Sequence, residues 1–367
     1  MFTRVAAIAA VVVAAQAFGQ TVDPFYAANY SIADLGPPPG VPPALGGITF
    51  LRNDPNTVLI GGGANGGGGT VYRIGVVRDA QQQITGWVGT AEVFSTAPWI
   101  DGGLCYNLDG VLFFAAYPTN QIGYIQPGGT TPARTFDLNT TPGNTVGSST
   151  GTVQFIPPGF RGAGSLIVGS YNGGGWDKIT LLNDGPLHYA IGGFIEGPAS
   201  SQTNGGPEGI VYIPTSNVLF SDNQYVLISE YGFGFVRSYA IDNDGFPIAD
   251  TRRDFITGLG GVEGATLDPI TGQFMFSTFG GGNRVIVVRG FVPRPPCIPD
   301  VAGVGGAIGP DGQLTPDDLL AFLTAFFNNN LAVADIAILG GAAGHDGLLT
   351  PDDVVLYLSK FFEGCPL

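Results

Sequence analysis

Positive charge and reactive side chains are scarce in this chain. Of 367 residues 14 are Lys or Arg, and only two of those, Lys178 and Lys360, are lysines, against 29 acidic residues and a net charge of −15. A surface that tracks phosphates needs clustered basic side chains, so nucleic acid and anionic membranes are poor partners and cations are better ones. There are two histidines, His188 and His345, both read as structural or surface residues. A Ser-His-Asp or histidine-metal mechanism would have to rest on His188 alone, which sets both aside. The three cysteines show no Cys-x-x-Cys or Cys/His zinc spacing. Beyond the N-terminus there is no long apolar run, so no transmembrane segment is expected.

Glycine and aromatics are what the chain has in excess. The 60 Gly and 28 Pro make up about 24% of the residues, which excludes a helical bundle. A hydrophobic content of 44%, with 25 Phe, 13 Tyr and 3 Trp, excludes a low-complexity chain. Many short strands joined by tight turns fit both facts, because Gly supplies the positive φ such turns require. The expected class is mainly β.

The N-terminus has the three parts of an export signal. Met1–Arg4 is a short basic stretch, Val5–Ala15 is apolar, and Ala15-Gln16-Ala17 or Ala17-Phe18-Gly19 offers small residues for cleavage. Residues 1–20 are therefore expected to be a signal peptide and the protein to be exported, extracellular or at the cell surface. Cys297 and Cys365 bracket the last segment and suit a disulfide in an oxidising compartment, whereas Cys105 lies in an apolar strand-like run.

Four prolines between Pro293 and Pro299 mark a stiff linker at 293–299. Upstream, residues 21–292 repeat an alternating strand that begins at Gly46, Gly102, Gly151, Glu208 and Glu263, with spacings of 56, 49, 57 and 55. A period near 50 with three or four strands per unit predicts a β-propeller of five blades, or six if the N-terminal piece hides a degenerate one. The run Tyr30–Leu35 is placed to supply the outer strand of the last blade. A β-sandwich or β-helix is the competing architecture, but the repeats are long for a β-helix and a sandwich leaves the returning acidic-glycine pair unexplained. Gly61–Gly69 is glycine-rich, but no Lys-Ser/Thr follows it and no helix opens there, so it is not a phosphate loop.

Asp101, Glu208 and Glu263 each stand immediately before the Gly of an inner strand. Equivalent positions in different blades point to one rim of the channel, so the three carboxylates are candidates to converge on a cation; turn chemistry at strand starts is the alternative. Pro207-Glu208-Gly209-Ile210 and Glu263-Gly264-Ala265 resemble the propellers of the NHL-repeat and calcium-dependent gluconolactonase group. That resemblance implies a metal-ligating Glu at this position and a calcium-assisted hydrolysis or ring opening of sugar-derived substrates.

Residues 300–327 and 335–362 align without gaps, with sixteen of 28 pairs identical. Asp311-Gly312 and Asp346-Gly347 are each followed, six residues after the Gly, by Asp318 or Asp353, the spacing of a calcium loop closed from the first turn of its exiting helix. Asp300 and Asp335 are earlier candidate ligands, and Gln313 and Leu348 would offer carbonyls. Thr315-Pro316-Asp317-Asp318 and Thr350–Asp353 also satisfy a helix-start code, so capping alone is the competing reading. Two amphipathic helices follow, with apolar faces expected at Leu319, Leu320, Phe322, Leu323, Phe326 and Phe327 and at Val354, Val355, Tyr357, Leu358, Phe361 and Phe362. From Cys297 onward there are nine acidic residues and one basic, a density that favours bound cations.

The duplicated unit, ending in Phe361-Phe362-Glu363-Gly364-Cys365, resembles the Gly-Cys-terminated dockerin type I-like modules. The resemblance implies calcium-dependent, EF-hand-like folding and docking onto a cohesin-like partner, often beside polysaccharide-processing domains. Pro316, Asp317, Pro351 and Asp352 stand where cellulosomal dockerins carry hydroxyl and basic recognition residues. The whole chain then reads as an exported binding or scaffold propeller displayed through 300–367, or as a calcium-dependent sugar lactonase or hydrolase.

Overall fold

In the computed structural model, residues 19–291, 297–303, 305–310 and 314–364 are described. Residues 1–18 of the expected signal peptide, most of the proline linker, Asp311, Gln313 and Cys365 lie outside them, and with Cys365 the Cys297–Cys365 bridge. The chain divides into two compact units, Met1–Ile213 with Gln224–Phe291, and Pro214–Asn223 with Val292–Leu367.

The first unit is a five-bladed β-propeller built of five antiparallel sheets. Blade 1 comprises Ile48–Leu51, Asp54–Gly62, Thr70–Arg78 and Ile84–Thr96, and blade 2 Ile100–Tyr106, Leu112–Ala116, Gln121–Ile125 and Arg134–Asp137. Blade 3 comprises Thr150–Phe155, Leu166–Ser170, Trp176–Asn183 and Tyr189–Glu196. Blade 4 comprises Pro207–Ile213, Tyr225–Glu230, Phe235–Ala240 and Arg253–Thr257, with Thr21–Val22 added at its edge. Blade 5 takes Val262–Leu267, Phe274–Thr278 and Val285–Arg289 from the end of the domain and its outer strand, Ser31–Gly36, from the beginning. The five repeat starts thus correspond to five blades, and Tyr30–Leu35 overlaps the closing strand.

Both faces of each sheet are buried, which is why the strands read as short continuous apolar runs as often as alternating ones. In blade 1, Ile60 turns toward Met275 and Val287 of blade 5, while its neighbour Leu59 turns toward Ile100 and Leu112 of blade 2. Val168 and Ile167 of blade 3 part in the same way, toward Phe113 of blade 2 and Ile228 of blade 4. Cys105 is buried and free, its thiol pushed up to about 12 by burial, as suits a small core hydrophobe. Between blades 1 and 5, Arg78 grips Asp268 with two nitrogens at 2.8 Å each, both side chains almost fully buried.

The second unit contains α1 (Pro316–Phe327), the single turn α2 (Leu331–Ala334) and α3 (Pro351–Glu363). Both long helices begin with a complete capping box, on Thr315 and Asp318 and on Thr350 and Asp353. Phe322 stacks on Tyr357 with ring centroids 3.8 Å apart, so the two repeats bury their apolar faces on each other. The expected faces were drawn too wide. Leu320, Phe327, Val355 and Phe362 are 66%, 77%, 66% and 82% exposed, because on a 3.6-residue helix they fall one stripe beyond Leu319, Phe322, Leu323 and Phe326 and their counterparts. Among the described residues no helix is long and apolar enough to cross a membrane.

Candidate functional site

The inner strands of the five blades pack side by side around the propeller axis, each against its neighbours in ring order. Their separation is too small for side chains at the closest approach, so those positions are glycine. A Cβ on Gly103 would come within 2.2 Å of Val153 N, one on Gly209 within 2.4 Å of Glu263 O, and one on Gly264 within 2.7 Å of Ile48 N. None of these glycines has a positive φ. They are needed for close approach and not for a turn, which corrects the turn-chemistry reading of the acidic-glycine pairs.

Beside these glycines the strand pairing is irregular. In blade 4 Pro207 pairs with Glu230 and the next pair is Ile210 with Ile228, so Glu208 and Gly209 together face Ser229. In blade 5 Glu263 and Gly264 likewise face Ser277. Blade 2 inserts one residue more, Asp101, Gly102 and Gly103 against Ala115. Such bulges re-aim side chains, and here each turns an acid toward the axis. The five blades contribute unequally. Blade 3 presents Gly151, where a Cβ would lie 3.1 Å from Glu208 Oε2, and blade 1 presents only Gly46 and Gly47.

Asp101, Glu208 and Glu263 each bring a carboxylate oxygen within 4.8 Å of the others. Their exposures are 0%, 3% and 1%. Both oxygens of Asp101, both of Glu263 and Oε2 of Glu208 are buried without a hydrogen-bond partner. Burial pushes the Asp101 carboxyl up to about 7. Burial, and then the neighbouring acids, hold Glu208 and Glu263 well above the ordinary carboxylate range. Three unpaired buried carboxylates are costly unless a cation joins them. Two oxygens about 2.4 Å from a calcium ion, on opposite sides of it, stand about 4.8 Å apart, so the separation fits a hard cation with oxygen ligands.

Sequence reasoning missed two parts of the site. The glycine-rich stretch after Gly61 carries Asn65, whose backbone N donates to Ile100 O at 3.0 Å and whose φ is +59°. Asn65 Oδ1 is buried and unpartnered beside the acids. The second part is aromatic. Tyr117, Tyr171, Tyr231 and Phe279 each follow the last residue of the second strand of blades 2, 3, 4 and 5. They form a chain of edge-to-face contacts, with centroids 5.3, 6.0 and 6.1 Å apart. With Asn65, Glu208 and Glu263 they line a cavity of about 270 Å³ above the triad. Their offsets from the repeat starts vary between blades, so no fixed spacing in the sequence marks them; what they share is the place just after each second strand.

The carboxylates of the C-terminal repeats are arranged differently. Asp318 accepts from Val301 N, Ala302 N and Thr315 N, and Asp353 from Ile336 N, Ala337 N and Thr350 N, at 2.7–2.9 Å. Burial works to raise both carboxyls, but these donors outweigh it and hold them below the usual range. Asp335 accepts from Asp346 N and Gly347 N, and Asp346 from Leu339 N and Leu348 N. Asp317 and Asp352 accept from Gly305 N and Gly340 N. Among the described residues the propeller triad is the one group whose ligand atoms converge, and the expected loop ligands Asp335, Asp346 and Asp353 are engaged instead with backbone donors. Asp300 is buried, His345 contacts Asp335 O, and His188 contacts the Tyr124 hydroxyl.

No protein-family model matches the chain, and no curated protein sequence matches it. Solved structures with a similar course of the backbone include a glutaminyl cyclase from Myxococcus xanthus, 12% identical, TM-score 0.42, covering 71% of this chain and 95% of that one. An auxiliary nutrient binding protein from Bacteroides ovatus is 10% identical, TM-score 0.41, with 71% and 76% covered. A glucose dehydrogenase is 12% identical, TM-score 0.40, with 70% and 99% covered.

Proposed function

We propose that the protein is an exported ligand-binding propeller whose channel holds a divalent cation, calcium, on Asp101, Glu208 and Glu263, with Asn65 Oδ1 as a further oxygen donor. The observation that carries this reading is the set of buried, unpartnered carboxylate oxygens at the base of an open cavity. The test is metal counting on the full chain after chelation and reloading. Glu208→Gln with Glu263→Gln should remove one bound ion per chain, and an unchanged count rejects the reading.

The second reading is hydrolysis of a sugar-derived lactone at the same place. One observation favours it: the cavity opens directly onto Glu208 and Glu263. A cation held there supplies Lewis-acid polarisation of a carbonyl oxygen. Water adds to the lactone carbonyl, the ring C–O bond breaks, and the ring oxygen takes up a proton to leave a hydroxy acid. Proton release on a panel of lactones, abolished in Glu263→Gln, tests it.

The C-terminal module has the role of docking onto an extracellular partner of cohesin-like kind, with calcium at its duplicated loops. The sixteen identities between the repeats and their twin capping boxes support this. Calcium entering the second loop has to displace backbone donors from Asp335, Asp346 and Asp353. Calorimetric titration of the full chain carrying Glu208→Gln and Glu263→Gln reads these loops alone, and absence of heat there rejects calcium at the module.

A further inference from the structure

The cavity above the triad has no basic side chain in its lining. Its floor carries three carboxylates, so even with a divalent cation in place the site keeps about one negative charge if all three are ionised. An anionic ligand is therefore repelled. The walls are four aromatic rings, three of them tyrosines whose hydroxyls can each donate and accept a hydrogen bond. The volume is about 270 Å³, roughly nine waters at about 30 Å³ each. That is room for one sugar ring with its hydroxyls inside the cavity. The buried triad closes the floor, so a longer chain can enter only by its end.

We propose that this cavity takes a neutral, single-ring polyhydroxylated ligand end-on, its apolar face against the Tyr171–Tyr231 side of the aromatic collar, and that it discriminates against sugar acids of the same size. The inference deepens the cation-site reading and rests on it. Ring stacking supplies the contact area, while the phenol hydroxyls and Asn65 read the hydroxyls.

The experiment uses the full chain loaded with calcium. Isothermal titration is run with D-glucose, D-galactose, D-mannose and D-xylose, with D-glucuronate and D-galacturonate, and with cellobiose. At least one neutral monosaccharide should bind at least tenfold more tightly than either uronate. Tyr171→Ala should weaken that binding tenfold or more while the number of calcium ions per chain is unchanged; Tyr231→Phe, which keeps the ring, should cost less. If Tyr171→Ala does not fold, Phe279→Ala serves in its place. Binding of no neutral sugar, equal or tighter uronate binding, or an unaffected collar variant overturns the proposal. A calcium count that does not depend on Glu208 and Glu263 overturns the cation reading beneath it, and the two failures are read separately.

Discussion

Burial pushes the Asp101 carboxyl up to about 7, and Glu208 and Glu263 lie well above their ordinary values for the same cause. Each of these acids therefore holds its proton more tightly in the folded chain than in the unfolded one. In the chelated protein their favourable contribution is fully present below the ordinary carboxylate range; the Asp101 part is lost as pH rises through about 7, and the Glu208 and Glu263 parts as pH rises through their own raised values, when the fold must accommodate the charges. Chelated protein is thus expected to melt at falling temperature between about pH 4 and about pH 8, followed by near-ultraviolet dichroism of the propeller tyrosines, and Asp101→Asn should flatten the slope. A melting temperature that rises across this range would contradict the account. Gly209 makes a separate demand. Gly209→Ala places a Cβ 2.4 Å from Glu263 O and 2.5 Å from Ala265 N, and the overpacking is expected to cost about 1–3 kcal/mol or more in denaturant melts.

Among the elements, the capped helices of the second unit illustrate a local code used twice. Thr350 accepts from Asp352 N, Asp353 returns to Thr350 N, and the other oxygen of Asp353 holds Ile336 N and Ala337 N at the head of the preceding loop. Asp353→Ala removes the cap and leaves buried donors unpaired, at a cost of about 1–3 kcal/mol in the unfolding of this unit, read by far-ultraviolet dichroism. Because these donors hold Asp353 below its ordinary value, the contribution is present above that value and is lost as pH falls. The capping box itself was legible because Thr350, Asp352 and Asp353 lie within one turn, whereas the reach of Asp353 to Ile336 and Ala337 was not. The inner-strand bulges were not. Asp101 precedes its glycine as Glu208 and Glu263 precede theirs, yet pairing shows blade 2 with one more inserted residue, a difference that only the partner strand reveals.

At the level of the whole molecule, the ring closes where the ends of the domain meet. Ser31–Gly36 pairs with Val285–Arg289, and Arg78 of blade 1 reaches Asp268 of blade 5. Removing one partner of such a buried pair typically costs about 3–5 kcal/mol, so Arg78→Ala should destabilise the propeller by that amount. Deleting residues 19–36 exposes the edge of the last blade and should broaden the propeller's unfolding transition in calorimetry; a transition as sharp and as hot as that of the full domain would show that the closing strand is dispensable.

The propeller architecture, the strand that returns to close the ring, and the helical character of the second unit followed from the sequence by itself, because repetition, apolar patterning and capping are properties of neighbouring residues; that the ring has five blades and not six was decided by the structure. Tertiary structure alone decided the rest. Asn65, the collar of Tyr117, Tyr171, Tyr231 and Phe279, and the meeting of three unpartnered acids depend on bulge register and on how tightly five glycine-bearing strands crowd one axis. The same is true of Asp318 and Asp353, whose carboxylates face backbone donors because the loops fold back onto the helix starts. Those distances are set between blades or between repeats, and no local pattern carries them.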